Sequence, residues 1–541
     1  MRFLATVGAL LAATAMTGCD HKAPPPAAKA APAPAHAAAP QPHGIDWFPG
    51  SVPAAFAAAK AANKPLFLYW GAVWCPPCAQ IKATIFSRRE FQERTRLFVP
   101  VYLDGDTPSA QKYGEQFGVV GYPTMILFRA DGTEITRLPG GVDIARYAKI
   151  LDVALAAARP VAEILAAART GGQVSPDDWR LLAYYSWATD NGHVLPAAQG
   201  ARTFRALAER CPAELLADCS RFWFEYVGAA AATAKGGRPP FDGLQRAEAR
   251  RRILELLARP AVQQANVEHL LYGAPQVVGA LSAPGTAERG ALTAAWSRAL
   301  DALAALEGQQ ALSTKEQLNL LRARVLLAKL EAPDAPLPPA LLETVRRAVT
   351  EVDAHTTDPA ERQAAINAAV ALYWDAGLEA EAGRLLTAEL GKSKSPYYFM
   401  LDLADLAEKA GRKQEAVEWL GRAYREATGP ATRFQWGYDY LVGLIDMTPD
   451  DLAGIERAGL AVLDELDGAP DAFYQRTRIR LEQLSNQLLA WGPHGARARV
   501  VEKLRERTRT ICAKLPQNDD GRTHCEAFLT AARHAKGEAA T

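Results

Sequence analysis

The chain has 541 residues, of which 49% are hydrophobic and 22% are charged. A single hydrophobic core rarely extends over so long a chain, so this length predicts more than one domain. Lysine and arginine (61) balance aspartate and glutamate (60), which gives a formal net charge of +1 at pH 7. This balance, without a basic run, argues against nucleic-acid binding.

Residues 1–19 have the pattern of a secretory signal peptide: Arg2 is positive, residues 3–16 are apolar, and small residues precede Cys19. A cysteine at the cleavage point resembles the lipobox of bacterial lipoproteins, in which that cysteine becomes lipidated. We therefore expect lipidation of Cys19 and a periplasm-facing protein of the bacterial cell envelope, at either the inner or the outer membrane. An ordinary cleaved signal peptide is the alternative.

Residues 20–44 are rich in alanine and proline. Such a composition predicts an extended, polyproline-like spacer that can reach up to ~75 Å. We expect this segment to tether the folded part of the chain at a distance from the membrane surface.

Helical and strand-like patterns alternate between residues 45 and 159. Helices are predicted at 53–63, from 76, after 87, at 109–117 and from 143, and apolar strands at 66–70, 97–103, 124–129 and 134–138. This alternation predicts an α/β domain.

The run Trp74-Cys75-Pro76-Pro77-Cys78 follows the first predicted strand. Two thiols at this spacing can form and reopen a disulfide, and a helix N-terminus favours the thiolate of the first cysteine. The two prolines tolerate the first helical turn because they have no N–H to satisfy, which leaves the N–H of Cys78 as the donor nearest to the Cys75 sulfur. We expect Cys75 to be exposed and Cys78 to lie deeper. Half of a zinc site is the alternative for such a pair.

A second motif, Gly121-Tyr122-Pro123-Thr124, comes before the third predicted strand. Together with the Trp-Cys-x-x-Cys run, it resembles the thioredoxin family over residues 45–159, and most closely the periplasmic thioredoxin-like domains. The resemblance implies that Cys75 is the nucleophile, that Cys78 is the resolving thiol and that Pro123 is a cis-proline. It also implies that Trp74, Tyr122 and Pro123 contact the substrate.

One position departs from the family pattern. Thioredoxin has a buried aspartate six residues before the first cysteine, and this chain has Tyr69 there. The residue that relays the proton of the resolving thiol is therefore left open between Tyr69, Asp104 and water.

Residues 160–541 read as alanine- and leucine-rich helices without a convincing strand. Gly377, Ala382 and Leu386 have identical counterparts 34 residues later. This period resembles the tetratricopeptide repeat, which has two helices per unit. We therefore expect an all-helical, solenoid-like repeat domain that is tetratricopeptide-like around 364–430; a globular helical bundle is the alternative.

Four further cysteines lie in the helical part: Cys211, Cys219, Cys512 and Cys525. In an oxidising compartment they favour two structural disulfides, for which three pairings exist, and buried free thiols are the alternative. A turn-like stretch favours a bridge from Cys512 to Cys525, whereas Cys211 and Cys219 need a break in their helix, which Pro212 can supply. No metal site and no cofactor is predicted, since the nine histidines are scattered.

These features predict an envelope thiol-disulfide oxidoreductase that reduces protein disulfides through Cys75 and Cys78. The helical domain would recruit protein clients or a redox partner, and a membrane reductase would supply electrons. The residues between the two cysteines tune the potential, so the direction of electron flow is left open. The alternative function is an envelope protein-interaction scaffold with an accessory thioredoxin-like module.

Overall fold

Helices and strands alternate through the first part of the chain, close to the predicted positions. The computed structural model describes residues 44–140, 142–234, 240–332 and 335–530. The predicted signal peptide, the lipidation site Cys19 and the predicted tether up to residue 43 lie outside the described residues.

The described α/β part has five α-helices and four β-strands: α1 (Val52–Ala62), β1 (Leu66–Gly71), α2 (Pro76–Ile81), α3 (Arg89–Arg94), β2 (Val99–Asp104), α4 (Pro108–Gln116), β3 (Thr124–Phe128), β4 (Glu134–Leu138) and α5 (Ile144–Leu155). A π-helix (Lys82–Phe86) follows α2, and a 3-10 helix (Thr95–Leu97) follows α3. The strands form one sheet in the order β2-β1-β3-β4. Strand β1 is parallel to β2 and antiparallel to β3, which is in turn antiparallel to β4. The predicted α/β class is confirmed.

Local chemistry sets the ends of these helices. The side chains of Ser51, Thr107 and Asp143 accept backbone N–H bonds at the starts of α1, α4 and α5. Such caps satisfy donors that have no partner inside the helix. Strand β1 is buried along its whole length, which explains why its sequence is a continuous apolar run.

Each face of the sheet carries its own apolar layer. On one face, α2, α3 and α5 pack over Phe67, Tyr69, Met125 and Leu127, together with the aromatic rings of Phe86, Phe91, Phe98 and Tyr147. On the other face, α1 and α4 pack over Leu66, Leu68, Trp70, Ile126 and Phe128. The sheet is therefore sandwiched between helices, and α2 is fixed against its first face.

The rest of the chain is helical, as predicted, and no described residue beyond 160 lies in a strand. Its helices are α6 (Val161–Thr170), α7 (Pro176–Ala183), α8 (Trp187–Asp190), α9 (Ala197–Arg210), α10 (Leu216–Cys219), α11 (Arg221–Thr233), α12 (Gly243–Leu257), α13 (Pro260–Ala265), α14 (Val267–Tyr272), α15 (Ala274–Leu281), α16 (Ala287–Ala304), α17 (Thr314–Glu331), α18 (Pro339–His355), α19 (Pro359–Asp375), α20 (Glu379–Glu389), α21 (Pro396–Lys409), α22 (Lys413–Glu426), α23 (Pro430–Met447), α24 (Leu452–Asp464), α25 (Gln475–Trp491), α26 (Gly495–Cys512) and α27 (Asp520–Glu526). Within the described ranges, no helix combines the length and the hydropathy that a membrane span needs.

The 34-residue repeat corresponds to two helical hairpins, α19 with α20 and α21 with α22. Gly377 and Gly411 make the turn inside each hairpin with φ values of 74° and 76°, which favour glycine. Ala382 and Ala416 are fully buried, so small side chains stand where helices approach closely. The tetratricopeptide-like assignment of 364–430 stays a prediction.

The four cysteines of the helical region are paired. Cys211 is bonded to Cys219 with a Cα–Cα distance of 6.3 Å, and Cys512 is bonded to Cys525 at 5.7 Å. Helix α9 ends before Cys211, and Pro212 leads into a 3-10 turn before α10. This break brings the first two cysteines within reach of each other, and the second pair joins α26 to α27.

The α/β part and the helical region pack against each other, and the described residues belong to one compact unit. The guanidinium of Arg137 in β4 is part of this packing: it donates to the carbonyls of Phe117, Gly118 and Thr189, the last of which lies in the helical region. The domain boundary between residues 159 and 160 stays a prediction from the sequence pattern.

Candidate redox-active site

The Cys-x-x-Cys run begins α2 in the predicted way. Cys75 is the N-cap, and its sulfur accepts the N–H of Cys78 at 3.1 Å. Pro76 and Pro77 fill the first turn, where no N–H is needed. Cys75 and Cys78 form a disulfide with a Cα–Cα distance of 5.2 Å. The two sulfurs are therefore close enough to exchange a bond.

The second motif lies beside this helix. The peptide bond between Tyr122 and Pro123 is cis. The Tyr122 hydroxyl donates to the Gly105 carbonyl at 3.1 Å and accepts from Gln111 at 3.2 Å, while its ring lies edge-on to Trp74 at 5.8 Å. Burial raises the pKa of Tyr122 to about 12. Tyr122 is thus brought against Trp74, the residue before Cys75, and the predicted role of Trp74, Tyr122 and Pro123 in substrate contact stays a prediction.

The prediction that Cys75 is exposed is wrong. Cys75 is 3% exposed, Cys78 is fully buried, and Trp74 is 7% exposed. Helix α19 of the helical region packs directly on α2. The site is therefore covered by a distant part of the same chain.

The helices that pack over the site, among them α19 and α23, are called the cover below. Hydrogen bonds join them to Trp74. The Trp74 indole N–H is shared between Thr432 Oγ1, at 2.8 Å, and Asp106 Oδ1, at 3.0 Å. The Thr432 hydroxyl donates to the same Asp106 oxygen. From α19, the Gln363 side-chain amide donates to the Trp74 carbonyl at 3.2 Å. Two helices of the cover, α19 and α23, therefore hold Trp74, the residue that precedes Cys75.

Aromatic and cationic side chains fill the remaining space. Trp436 packs edge-on to Trp74 with a centroid distance of 4.9 Å. The Arg476 guanidinium lies 4.7 Å from the centre of the Tyr122 ring and 5.5 Å from that of Trp74. The cavity left between these groups has a volume of about 10 Å³. A cavity of this size, lined by Trp74, Tyr122 and Arg476, has no room for a peptide segment.

The far edge of the interface is more open. The Gln80 side chain, on α2, donates to the Ser313 hydroxyl at 2.8 Å. A cavity of about 490 Å³ beside this bond is lined by side chains of both parts, among them the cations Arg88, Lys149 and Lys315. The interface is therefore tightly packed at Trp74 and polar beside Gln80.

Three charged groups lie near α2 on the sheet side. Burial, and then the neighbouring Asp104, raise the pKa of Asp106 to about 7, although the Trp74 hydrogen bond opposes the shift. Burial lowers the pKa of Lys82, while Asp104 and Asp106 oppose this change.

Tyr69 stands where thioredoxin has its aspartate. Its hydroxyl is buried and has no hydrogen-bond partner among the described residues. Burial, assisted by the charge of Asp104, raises the pKa of Tyr69 above its usual range. This hydroxyl is therefore held neutral, and the identity of the proton relay stays open.

Sequence reasoning missed Asp106 in the thioredoxin-like domain and the residues that the helical region brings to the site: Gln363, Thr432, Trp436 and Arg476. The one available signal was that Gln363 and Thr432 are polar residues on inward-facing positions of their helices, where they are 8% and 1% exposed. No group of metal-binding side chains is found in the described part of the chain.

Residues 52–155 match the model of a family described as a thioredoxin-like domain. A stretch of 85 residues is 35% identical to the bifunctional thioredoxin reductase/thioredoxin of Mycobacterium leprae (strain TN), and it covers 16% of this chain and 18% of that protein. The chain thus spans under a fifth of the length of this relative. Among solved structures, a protein described as DsbH oxidoreductase matches at 22% identity with a TM-score of 0.19, over 21% of this chain and 85% of the other.

The family match falls on the same residues as the four-stranded sheet, the Cys75–Cys78 pair and the Tyr122–Pro123 bond. Residues 52–155 therefore form a thioredoxin-like domain that carries a Cys-x-x-Cys pair, in a chain whose remainder is helical.

Proposed function

We propose that the chain is a thiol-disulfide oxidoreductase that acts on proteins through Cys75 and Cys78. One observation carries the proposal: within a thioredoxin-like domain, Cys75 caps α2, accepts the N–H of Cys78 and is bonded to its sulfur. The N-terminal end of a helix stabilises a thiolate, which is the attacking species in disulfide exchange.

The reaction then has two steps. The Cys75 thiolate attacks one sulfur of a client disulfide, forms a mixed disulfide and releases the other client sulfur as a thiolate. The Cys78 thiolate attacks the Cys75 sulfur, re-forms the Cys75–Cys78 disulfide and releases the second client thiolate. Two electrons pass to the client in each cycle, and the two released thiolates take up protons from the solvent.

We propose reduction as the direction, with a membrane reductase as the electron donor that returns Cys75 and Cys78 to thiols. The potential of this couple tests the direction. A value near −270 mV, as in thioredoxin, supports reduction, whereas a value near about −120 mV, as in a strong oxidant, contradicts it.

The proposed location is the bacterial cell envelope, with a lipid anchor on Cys19. The signal-like pattern of the first 19 residues supports this location. The two disulfides of the helical region support it as well, because such bonds persist in oxidising compartments. Metabolic labelling with a palmitate analogue, with Cys19→Ser as the control, tests the anchor; equal labelling of both proteins would contradict it.

The helical region is proposed to recruit protein clients or the redox partner. Stacked helical hairpins commonly present extended surfaces to proteins, and α19 to α22 have this form. Their position against α2 would bring a bound protein close to the disulfide.

Reduction of insulin disulfides tests the activity. We expect Cys75→Ser to abolish turnover, because the nucleophile is lost. Cys78→Ser keeps the nucleophile but cannot resolve the first step, so it should accumulate a mixed disulfide with insulin on a non-reducing gel. Turnover by Cys75→Ser equal to that of the unmodified protein would contradict the proposal.

An interaction scaffold is the second candidate function. The observation in its favour is that the helical region covers the face that a client would need. For a scaffold, a variant with both cysteines replaced by serine should behave as the unmodified protein in cells. For an oxidoreductase, it should behave as a deletion.

A further inference from the structure

The helical region occupies the face on which a thioredoxin-like domain would receive its substrate. Thr432 and Gln363 bond to Trp74, and the Arg476 guanidinium lies over the ring of Tyr122. An incoming sulfur must reach the Cys75 sulfur to exchange, but Cys75 is 3% exposed. The covered arrangement is therefore unable to react with a protein disulfide.

We propose that the helices over α2 are a displaceable cover, and that an extended, cysteine-containing segment of an oxidised protein reaches Cys75 only by displacing them. This inference rests on the proposed function for the identity of the client. The contact of the helical region with α2 and Trp74 does not depend on it.

The chemistry of the contact suits displacement. Its polar contacts at Trp74 and α2 include hydrogen bonds of Thr432, Gln363 and Ser313, and water can replace each of them when the surfaces part. The cavity of about 490 Å³ beside the Ser313 bond has charged walls, so water can enter at that edge first.

Gly429 shows how closely the cover is fitted. This residue precedes α23 with φ of +86°, and a Cβ atom there would lie 2.8 Å from the Asp106 Cβ. Two residues on, the N–H of Ala431 donates to the Asp106 carbonyl at 3.2 Å. A side chain at 429 therefore cannot be accommodated while Thr432 stays bonded to Trp74.

Gly411 provides a control. It also precedes a helix in the helical region, with φ of +76°, but a Cβ atom there would meet nothing within 4 Å. Gly429→Ala and Gly411→Ala both place a Cβ atom at a positive φ, and the ψ of 133° makes the backbone strain larger at Gly429. Only at 429 does the new Cβ atom also clash with Asp106, and this clash is relieved when the cover leaves the thioredoxin-like domain.

The test measures how fast a water-soluble phosphine reduces the Cys75–Cys78 disulfide of the purified full chain. The phosphine gives two electrons to the S–S bond and becomes a phosphine oxide with oxygen from water. The thiols that form are alkylated and quantified by mass spectrometry. We expect Gly429→Ala to react at least about tenfold faster than the unmodified protein, and Gly411→Ala to react at the unmodified rate.

Equal rates for Gly429→Ala and the unmodified protein would overturn the proposal, and so would equal acceleration by both glycine variants.

A second measurement uses the unmodified protein and so does not depend on the folding of a variant. Urea below the unfolding transition should accelerate the reduction with a shallower slope than global unfolding, because the opening exposes only part of the buried surface.

Two results of the urea experiment would also contradict the proposal that the cover is displaced. A rate independent of urea means that the sulfurs are already accessible, and a slope equal to that of global unfolding means that no separate opening exists. The phosphine rate requires no enzymatic activity, so an inactive protein with a protected disulfide refutes the proposed function but not the cover. A protein that reduces insulin and has an unprotected disulfide refutes the cover alone.

Discussion

Asp106 is an ionisable residue that takes part in the contact between the thioredoxin-like domain and the helical region. Its carboxylate accepts bonds from Trp74 in its own domain and from Thr432 in the helical region. The charged groups that act on it are Asp104 on the neighbouring strand end, Lys82 after α2 and Arg476 on α25. Burial is the largest influence, so the protonated acid is favoured in the covered form.

The pH dependence of stability follows from this shift. The pKa of Asp106 is about 7 in the folded chain, against 3.8 for an unperturbed aspartate. Stability from this group is therefore fully present below pH 3.8 and is lost as the pH rises through about 7. We expect Asp106→Asn, which stays neutral, to be more stable than the unmodified protein at pH 8, by about 1 kcal/mol or more, and equally stable near pH 4.

Thermal unfolding of both proteins from pH 4 to 8 measures this difference. Lys82, Asp104 and Arg476 are the same in both chains, so the comparison isolates the change made at position 106. A difference in melting temperature between the two proteins that stays constant from pH 4 to 8 would contradict the assignment of the raised pKa to Asp106.

At the scale of elements, β4 links the sheet to the helical region through Arg137. This side chain has no exposed surface, pairs with Glu134 at 2.9 Å and donates to three backbone carbonyls, one of them that of Thr189. A buried cation with a full set of partners cannot be removed without leaving those partners unsatisfied.

We expect Arg137→Met to lower the free energy of unfolding by about 3–5 kcal/mol, since Glu134 and the carbonyls lose their donor. Arg137→Lys keeps the charge but not the planar guanidinium group. Its free energy of unfolding should therefore lie between those of the unmodified protein and Arg137→Met. Urea titrations of the three proteins provide the measurement. A methionine variant as stable as the unmodified chain would show that this network adds nothing to stability.

The sequence predicted those elements whose cause is local. The strand at 66–70 is marked by a continuous apolar run, and the start of α2 by a cysteine followed by two prolines. The cover was not predictable, because Trp74 and Thr432 are 358 residues apart and no local pattern pairs them. The prediction that Cys75 is exposed failed for the same reason: the neighbours of Cys75 in sequence give no sign of α19 or α23.

At the scale of the whole molecule, the last described helices are joined to the thioredoxin-like domain at a second place. Lys112 of α4 pairs with Asp471 and with Asp519, both at 3.2 Å. Asp519 caps α27, which the Cys512–Cys525 disulfide attaches to α26. This disulfide therefore helps to hold the C-terminal helices against α4.

Replacing both Cys512 and Cys525 by serine should lower stability by about 2–5 kcal/mol and should also accelerate phosphine reduction of the Cys75–Cys78 bond. The corresponding change at Cys211 and Cys219 is the control, because that disulfide joins α9 to α10 and not the helices over α4. It should lower stability without changing the reduction rate. Equal reduction rates in both double variants would contradict a link between the C-terminal disulfide and the cover.

The burial of both sulfurs also bears on how the potential of the couple is determined. A glutathione buffer reaches equilibrium with a disulfide only as quickly as its molecules meet the bond, and here Cys75 and Cys78 are 3% and 0% exposed. Titrations started from the oxidised and from the reduced protein should therefore show hysteresis after short incubations and should converge only after long ones. A midpoint potential taken from a titration in one direction alone would reflect slow equilibration and not the equilibrium potential of the Cys75–Cys78 couple.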